Sequence, residues 1–139
     1  MSTEAGLLSS KSFRFAINAS DKILLIDSSD VSVIEAQGSY VILHRLSGSL
    51  RVRSSISALT KDLEPRGFVR IHRSVLVNKF CILEIRKAAT GEYMLRTSGG
   101  REYRIPRTCM HNLKAIAHVW IGTGTFSQEV KTCRVKPSL

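Results

Sequence analysis

A mainly β, antiparallel, hairpin-rich fold with one or two short helices is what this sequence predicts. Three observations point to it. Apolar residues cluster in short runs of strand length. Turn-forming residues separate successive runs. Only two stretches place apolar residues at helical spacing.

Residues 13–17 and 22–26 flank Asn18-Ala19-Ser20-Asp21, a hairpin signal. Ser28-Ser29-Asp30 turns the chain into a third run over 31–36. The runs 40–46 and 50–53 are joined by Ser47-Gly48-Ser49, a second hairpin. Leu50 and Val52 alternate with Arg51 and Arg53, the period of a half-exposed strand. Then the period changes. Ile56, Leu59 and Leu63 predict an amphipathic helix on one face of the sheet, with Ser54 or Ser55 as N-cap and Pro65-x-Gly67 as its stop. Strands resume over 68–72, 80–86, 92–97 and 101–105, and Val75 to Val77 turns the chain back toward the core. Pro106 ends the last strand, and Leu113, Ile116 and Ala117 suggest a closing helix.

The 139 residues suit one domain with one sizeable core, and 43% hydrophobic content argues against a wholly disordered chain. Lysine and arginine number 21 against 11 acids, a net charge of +10, which calls for a polyanionic partner. DNA, RNA and an anionic membrane surface all satisfy that requirement. Cys81, Cys109 and Cys133 form no C-x-x-C pair, so a zinc ribbon is not expected. With no signal-like apolar region at the N-terminus, reduced thiols in a cytoplasmic protein are the expectation. No run approaches the roughly 20 apolar residues of an integral membrane segment. His44, His72, His111 and His118 make no metal-spaced pair, and H-E-x-x-H, G-x-S-x-G and P-loop motifs are missing. Neither a cofactor, a metal nor an enzymatic activity is expected.

The most informative run is Gly67-Phe68-Val69-Arg70-Ile71-His72-Arg73-Ser74-Val75-Leu76-Val77-Asn78. Phe68, Arg70 and His72 share one strand face, and Val69 and Ile71 the other. Between two apolar anchors, His72-Arg73-Ser74 gathers an imidazole, a planar fork donor and a hydroxyl at a bend. An arginine fork can hydrogen-bond guanine O6 and N7 together, while Ser and His reach phosphate or a base edge.

This run resembles the signature of the LytTR family, F-x-R-x-H-(R/N)-S-x-x-(V/I)-N. The resemblance continues in Asp30-Val31-Ser32-Val33-Ile34-Glu35-Ala36, in Gly38-Ser39-Tyr40-Val41 and in Ile105-Pro106-Arg107. Four ordered motifs at compatible spacing are far more specific than any one of them. The resemblance implies a LytTR-like β fold over residues 13–118, between a flexible N-terminal segment (1–12) and a C-terminal extension (119–139). It further implies sequence-specific binding of double-stranded DNA by a bacterial transcription regulator, whose loops enter successive major grooves and bend the duplex. Those loops map to residues 37–40, 72–78 and 106–108.

The DNA-binding candidates are therefore Ser39, Tyr40, His72, Arg73, Ser74, Asn78, Arg107 and Thr108, with Arg73 and Arg107 foremost for base contacts. Pro106 stands where the family usually has Ser, which removes a hydroxyl and an N–H that could meet phosphate. Ser39 stands where Asn is common. Local chemistry leaves alternatives open. His72 is a structural histidine or a phosphate contact, and Tyr40 is hairpin packing or a DNA contact. Asn78 braces a turn or touches the backbone. Arg45, Arg51, Arg53, Arg101 and Arg104 make a wet strand face or a nonspecific electrostatic surface. Family members often carry a phospho-receiver domain, acting as response-regulator output domains, and twelve residues before Phe13 cannot hold one. A stand-alone regulator or a fragment is expected, acting on paired direct-repeat sites, with a regulatory protein partner as one means of control. The competing readings are an RNA-binding β module, which aromatics at only 6% disfavour, and a module for anionic lipid or acidic protein.

Overall fold

The computed structural model describes residues 13–117, so the expected N-terminal segment and C-terminal extension lie outside the described residues. Ten strands and one α-helix follow in order: β1 (Arg14–Ala19), β2 (Lys22–Asp27), β3 (Val31–Gln37), β4 (Tyr40–Arg45), β5 (Gly48–Arg53), α1 (Ile56–Leu63), β6 (Phe68–His72), β7 (Val75–Asn78), β8 (Ile82–Lys87), β9 (Tyr93–Thr97) and β10 (Glu102–Ile105). A 3-10 helix, Arg107–Ala115, closes the described chain. The mainly β, antiparallel expectation therefore holds.

The strands form a five-stranded sheet in the order β5-β4-β3-β7-β6, a three-stranded sheet β10-β9-β8, and the β1–β2 hairpin. All neighbours are antiparallel. The five-stranded sheet is the middle layer. Strand β7 is buried along its whole length, as a strand covered on both faces must be, and its apolar residues alternate between two cores. Val75 and Val77 join Val33, Tyr93, Leu95, Ile105, Met110 and Leu113 on the side covered by the smaller sheet and the 3-10 helix. Leu76 joins Ile34, Leu43, Ile17, Ile26, Ile56 and Leu63 on the side covered by the hairpin and α1. A register shift between Val31 and Val33 lets these two residues, two apart in sequence, serve opposite cores.

Several local expectations are corrected. The first hairpin turns on two residues, Ser20 and Asp21, rather than four, because Asn18 and Ala19 stay paired with Ile23 and Lys22. Short two-residue turns match the twist of paired strands, and Ser20 accepts the positive φ of 61° that this one needs. The second hairpin turns at Leu46 and Ser47, with Gly48 already paired to Arg45. Asp30 draws that turn in, accepting from the Leu46 amide at 3.1 Å and the Ser47 hydroxyl at 2.8 Å. The run 75–77 does return to the core as expected, and it does so as β7, an interior strand of the five-stranded sheet.

Helix α1 starts as expected: Ser55 Oγ accepts from the Ala58 amide at 3.1 Å. It ends in a short 3-10 turn, Glu64–Arg66, stopped by Gly67 at φ 112°. A Cβ at Gly67 would also lie 3.1 Å from the Phe80 ring, so a side chain there would have to shift that ring as well as take a positive φ. The closing helix begins earlier than expected and is 3-10 in type. Its buried residues Met110 and Leu113 and the half-buried Ile116 recur every third position, the period of one 3-10 face.

Candidate nucleic-acid interface

Antiparallel register brings distant turns to one end of the five-stranded sheet. The β3–β4 turn, Gly38-Ser39, lies between the paired residues Gln37 and Tyr40. Glu35 pairs with Val75 on β7, and the Ala36 amide donates to the Ser74 carbonyl at 2.8 Å. The turn Arg73-Ser74 thus stands beside the first turn. Strand β5 finishes there as well, since Tyr40 pairs with Arg53.

The smaller sheet delivers the third segment. A Cβ at Gly99 would lie 3.8 Å from Ser32 Oγ, and the Tyr103 hydroxyl donates to Glu35 Oε2 at 2.5 Å. Moving from residue 99 to 103 therefore follows β3 from residue 32 to 35, toward its Gln37 end. Ile105-Pro106-Arg107 continues in that direction before the 3-10 helix folds back along β6. There Asn112 Nδ2 donates to the Arg70 carbonyl at 2.6 Å. Arg107 and Thr108 are both exposed, and Arg107 borders an open hollow of about 400 Å³ beside Arg104 and Gly91.

The middle turn is held from inside. Arg70 Nε donates to the His72 carbonyl at 2.9 Å, its Nη2 donates to the Arg73 carbonyl, and its Nη1 donates to Thr60 Oγ1 at 2.9 Å. One guanidinium thereby fixes two turn carbonyls and ties them to α1. Ser74 donates its amide to His72 Nδ1 at 3.1 Å, so the neutral imidazole carries its proton on Nε2. His72 and Ser74 are half-buried, and Arg73 is exposed at the tip.

In the first turn Gly38 has φ 63° and Ser39 is exposed. Tyr40 is half-buried, with the Arg51 guanidinium 4.6 Å from its ring centroid.

Asn78 must be removed from the contact set. It is only 3% exposed. Its Nδ2 donates to the carbonyls of Ser28 and Val31, both at 3.0 Å, and its Oδ1 accepts from the Phe80 amide at 3.0 Å. At the far end of β7 from the turns, its amide is fully engaged inside the fold.

The sheets meet in a polar junction. Glu35 receives the Tyr103 hydroxyl and faces His44 Nε2 at 3.3 Å. Burial pushes the Glu35 carboxyl up, but the Tyr103 hydroxyl, His44 and the charge of Arg101 outweigh it and hold the group below its ordinary value. Burial and the adjacent carboxylate raise the Tyr103 phenol. Cys81 and Cys109 are unbridged, and burial pushes the Cys81 thiol up. Cys133 lies outside the described residues. Among those residues no cluster of three or more His, Cys, Asp or Glu could hold a metal, and no helix is long and apolar enough to cross a membrane.

Charge is unevenly shared. On the smaller sheet Arg86 pairs with Glu102 and Glu84, Arg96 with Glu84, and Arg104 with Glu92. Arg73, Arg107, Arg51 and Arg53 have no ion-pair partner among the described residues. Sequence reasoning passed over the places of Arg51 and Arg53, because only register sets them beside the first turn. It also missed Arg70, whose role lies in contacts made through folding.

Residues 21–118 match the family described as the LytTr DNA-binding domain. The sensory transduction protein LytT of Bacillus subtilis is 26% identical over 106 residues, which is 76% of this chain and 44% of that protein. LytT of Oceanobacillus iheyensis is 30% identical over 94 residues, 67% of this chain and 38% of that protein. The transcriptional regulatory protein LytR of Staphylococcus aureus is 24% identical over 99 residues, 71% of this chain and 40% of that protein. The chain thus spans less than half the length of these curated relatives. A solved LytTr DNA-binding domain, from a Bacillus cereus protein described as a methyl-accepting/DNA response regulator, shares the fold. Its TM-score is 0.63 at 17% identity, covering 76% of this chain and 97% of that one. The chain belongs to the LytTr DNA-binding domain family.

Proposed function

We propose that this domain reads duplex DNA sequence-specifically in the service of transcription regulation, with the turn at Ser39, the turn at Arg73 and the segment Pro106–Thr108 entering successive major grooves. The observation that supports the reading is that register sets the Ser39 and Arg73 turns side by side at one end of the five-stranded sheet, with Arg73 and Arg107 exposed and without an acidic partner among the described residues. Unpaired guanidinium groups on short fixed turns suit guanine edges, and a neighbouring hydroxyl suits phosphate. The hydroxyls of Ser39, Ser74 and Thr108 fill that second role, and the His72 imidazole joins them through Nε2. Arrangement on paired direct repeats, action in the cytoplasm, control by a protein partner and the lack of an enzymatic activity belong to the same proposal.

Selection of bound duplexes from a random pool tests it. The expected outcome is a short enriched motif whose binding survives competitor DNA and weakens steeply with salt. Equal recovery of all sequences sinks the reading. Arg73→Ala is expected to cost about 1–3 kcal/mol at the selected site and to relax preference at one base position. An unchanged preference removes Arg73 from base reading.

A further inference from the structure

Strand β5 is an edge of the five-stranded sheet, and it ends beside the first turn. Its outward residues Arg51 and Arg53 are exposed, while Val52 between them is buried. Arg53 pairs in register with Tyr40, so the two side chains stand on one face. Arg51 alternates with Val52 onto that same face, where its guanidinium lies over the Tyr40 ring.

A guanidinium lying over a ring is attracted to the ring's face, which draws on its charge without using up its N–H groups. Its N–H donors radiate in the plane and stay free for another ligand. Paired oxygens of a phosphodiester fit such a fork. Other arginines are placed differently. Arg86, Arg96 and Arg104 have glutamate partners. Arg45 donates Nε to the Gly48 carbonyl at the opposite end of β4, and Arg66 lies over Phe13 next to the start of β6.

We infer that Arg51 and Arg53 form a phosphate-binding strip on β5 that grips the duplex backbone beside the first turn, with Tyr40 as the positioning residue that holds the plane of Arg51. The inference rests on the duplex-binding reading above. The strip lengthens the contacted stretch of DNA and adds affinity that is blind to sequence. It also assigns Tyr40 to orienting a phosphate contact rather than touching a base.

The test is the salt dependence of equilibrium binding to two duplexes, one selected and one scrambled. Each phosphate contact contributes a slope of about −0.9 in log K against log salt. Arg51→Ala and Arg53→Ala should each flatten the slope by about that amount on both duplexes, leaving the affinity ratio between them unchanged. Arg66→Ala removes the same charge at the far end and should not move the slope. Tyr40→Phe keeps the ring and should keep the slope, whereas Tyr40→Leu should flatten it in part. Wild-type slopes in both arginine variants overturn the strip. So does a collapse of the affinity ratio in either, which would make that arginine a base reader. A wild-type protein that binds both duplexes equally defeats the sequence-reading proposal while the slopes still decide the strip. One that binds neither defeats both. Exposed arginines are safe to truncate for folding, which a thermal melt of each variant verifies.

Discussion

Asn78 satisfies three backbone groups from one short side chain: the Ser28 and Val31 carbonyls and the Phe80 amide. Replacing it with Ala leaves buried polar groups without partners, each costing about 1–3 kcal/mol. Asn78→Ala should lower unfolding stability by roughly 2–4 kcal/mol in urea titration, with DNA affinity per folded molecule intact. A specific loss of affinity without loss of stability would return Asn78 to the interface. Glu35 and Tyr103 give the fold a pH signature. Glu35 titrates below its ordinary 4.5 in the folded chain, so its stabilising contribution is full above that value and fades as pH falls through the native one. Tyr103 is raised above its ordinary 10.0, so its contribution is full below pH 10 and is lost as pH climbs through the native value. Tyr103→Phe should cost about 1–2 kcal/mol at neutral pH and make the acid limb of the stability curve shallower. Urea melts across the acid range measure both, and an unchanged acid limb would show that the hydroxyl does not hold the carboxylate.

The turn between β6 and β7 is the element on which the proposed base reading depends. Arg70 makes it rigid without being exposed on it. With the turn carbonyls released, ordering them on DNA costs affinity, so Arg70→Ala should weaken selected-site binding by about 1 kcal/mol. Amide exchange at Arg73 and Ser74 should quicken in the free protein, and protection equal to wild type would contradict this role. Elements of this kind show where the sequence was readable. Helix α1 was legible because its spacing, its Ser55 cap and its Gly67 stop are all local signals. Strand β6 was placed residue for residue. The hairpin turns were misplaced because backbone pairing and the Asp30 side chain, not turn composition, decide where a strand stops. The closing segment was read as an ordinary helix, since three-residue and four-residue recurrence differ little over so short a run. The exposed tips Ser39, Arg73 and Arg107 follow from the motifs. Arg53 and Arg70 could not be read, because one depends on cross-strand register and the other on contacts with Thr60 and two carbonyls.

Across the whole molecule, two apolar cores clamp the five-stranded sheet from either side, and the turns at Ser39 and Arg73 sit together at one end of that sheet. Opposite charges neutralise one another on the outer surface of the smaller sheet, while the turn-bearing end keeps its positive charge. The association rate with duplex DNA should therefore fall with salt more steeply than the dissociation rate rises. Stopped-flow mixing at several salt concentrations reads both, and a salt effect confined to dissociation would contradict this charge placement. The order of assembly follows from how far apart the partners lie. Asn78 reaches Ser28 across 50 residues, and Tyr103 reaches Glu35 across 68. Refolding should fall in the millisecond-to-second range of non-local β topologies. On the ribosome the delay has a further meaning. Strand β3 takes β4 as a partner early but waits for β7 on its other flank, so the nascent chain carries an open strand edge until that segment has emerged. During that interval the growing polypeptide is most exposed to pairing with its neighbours.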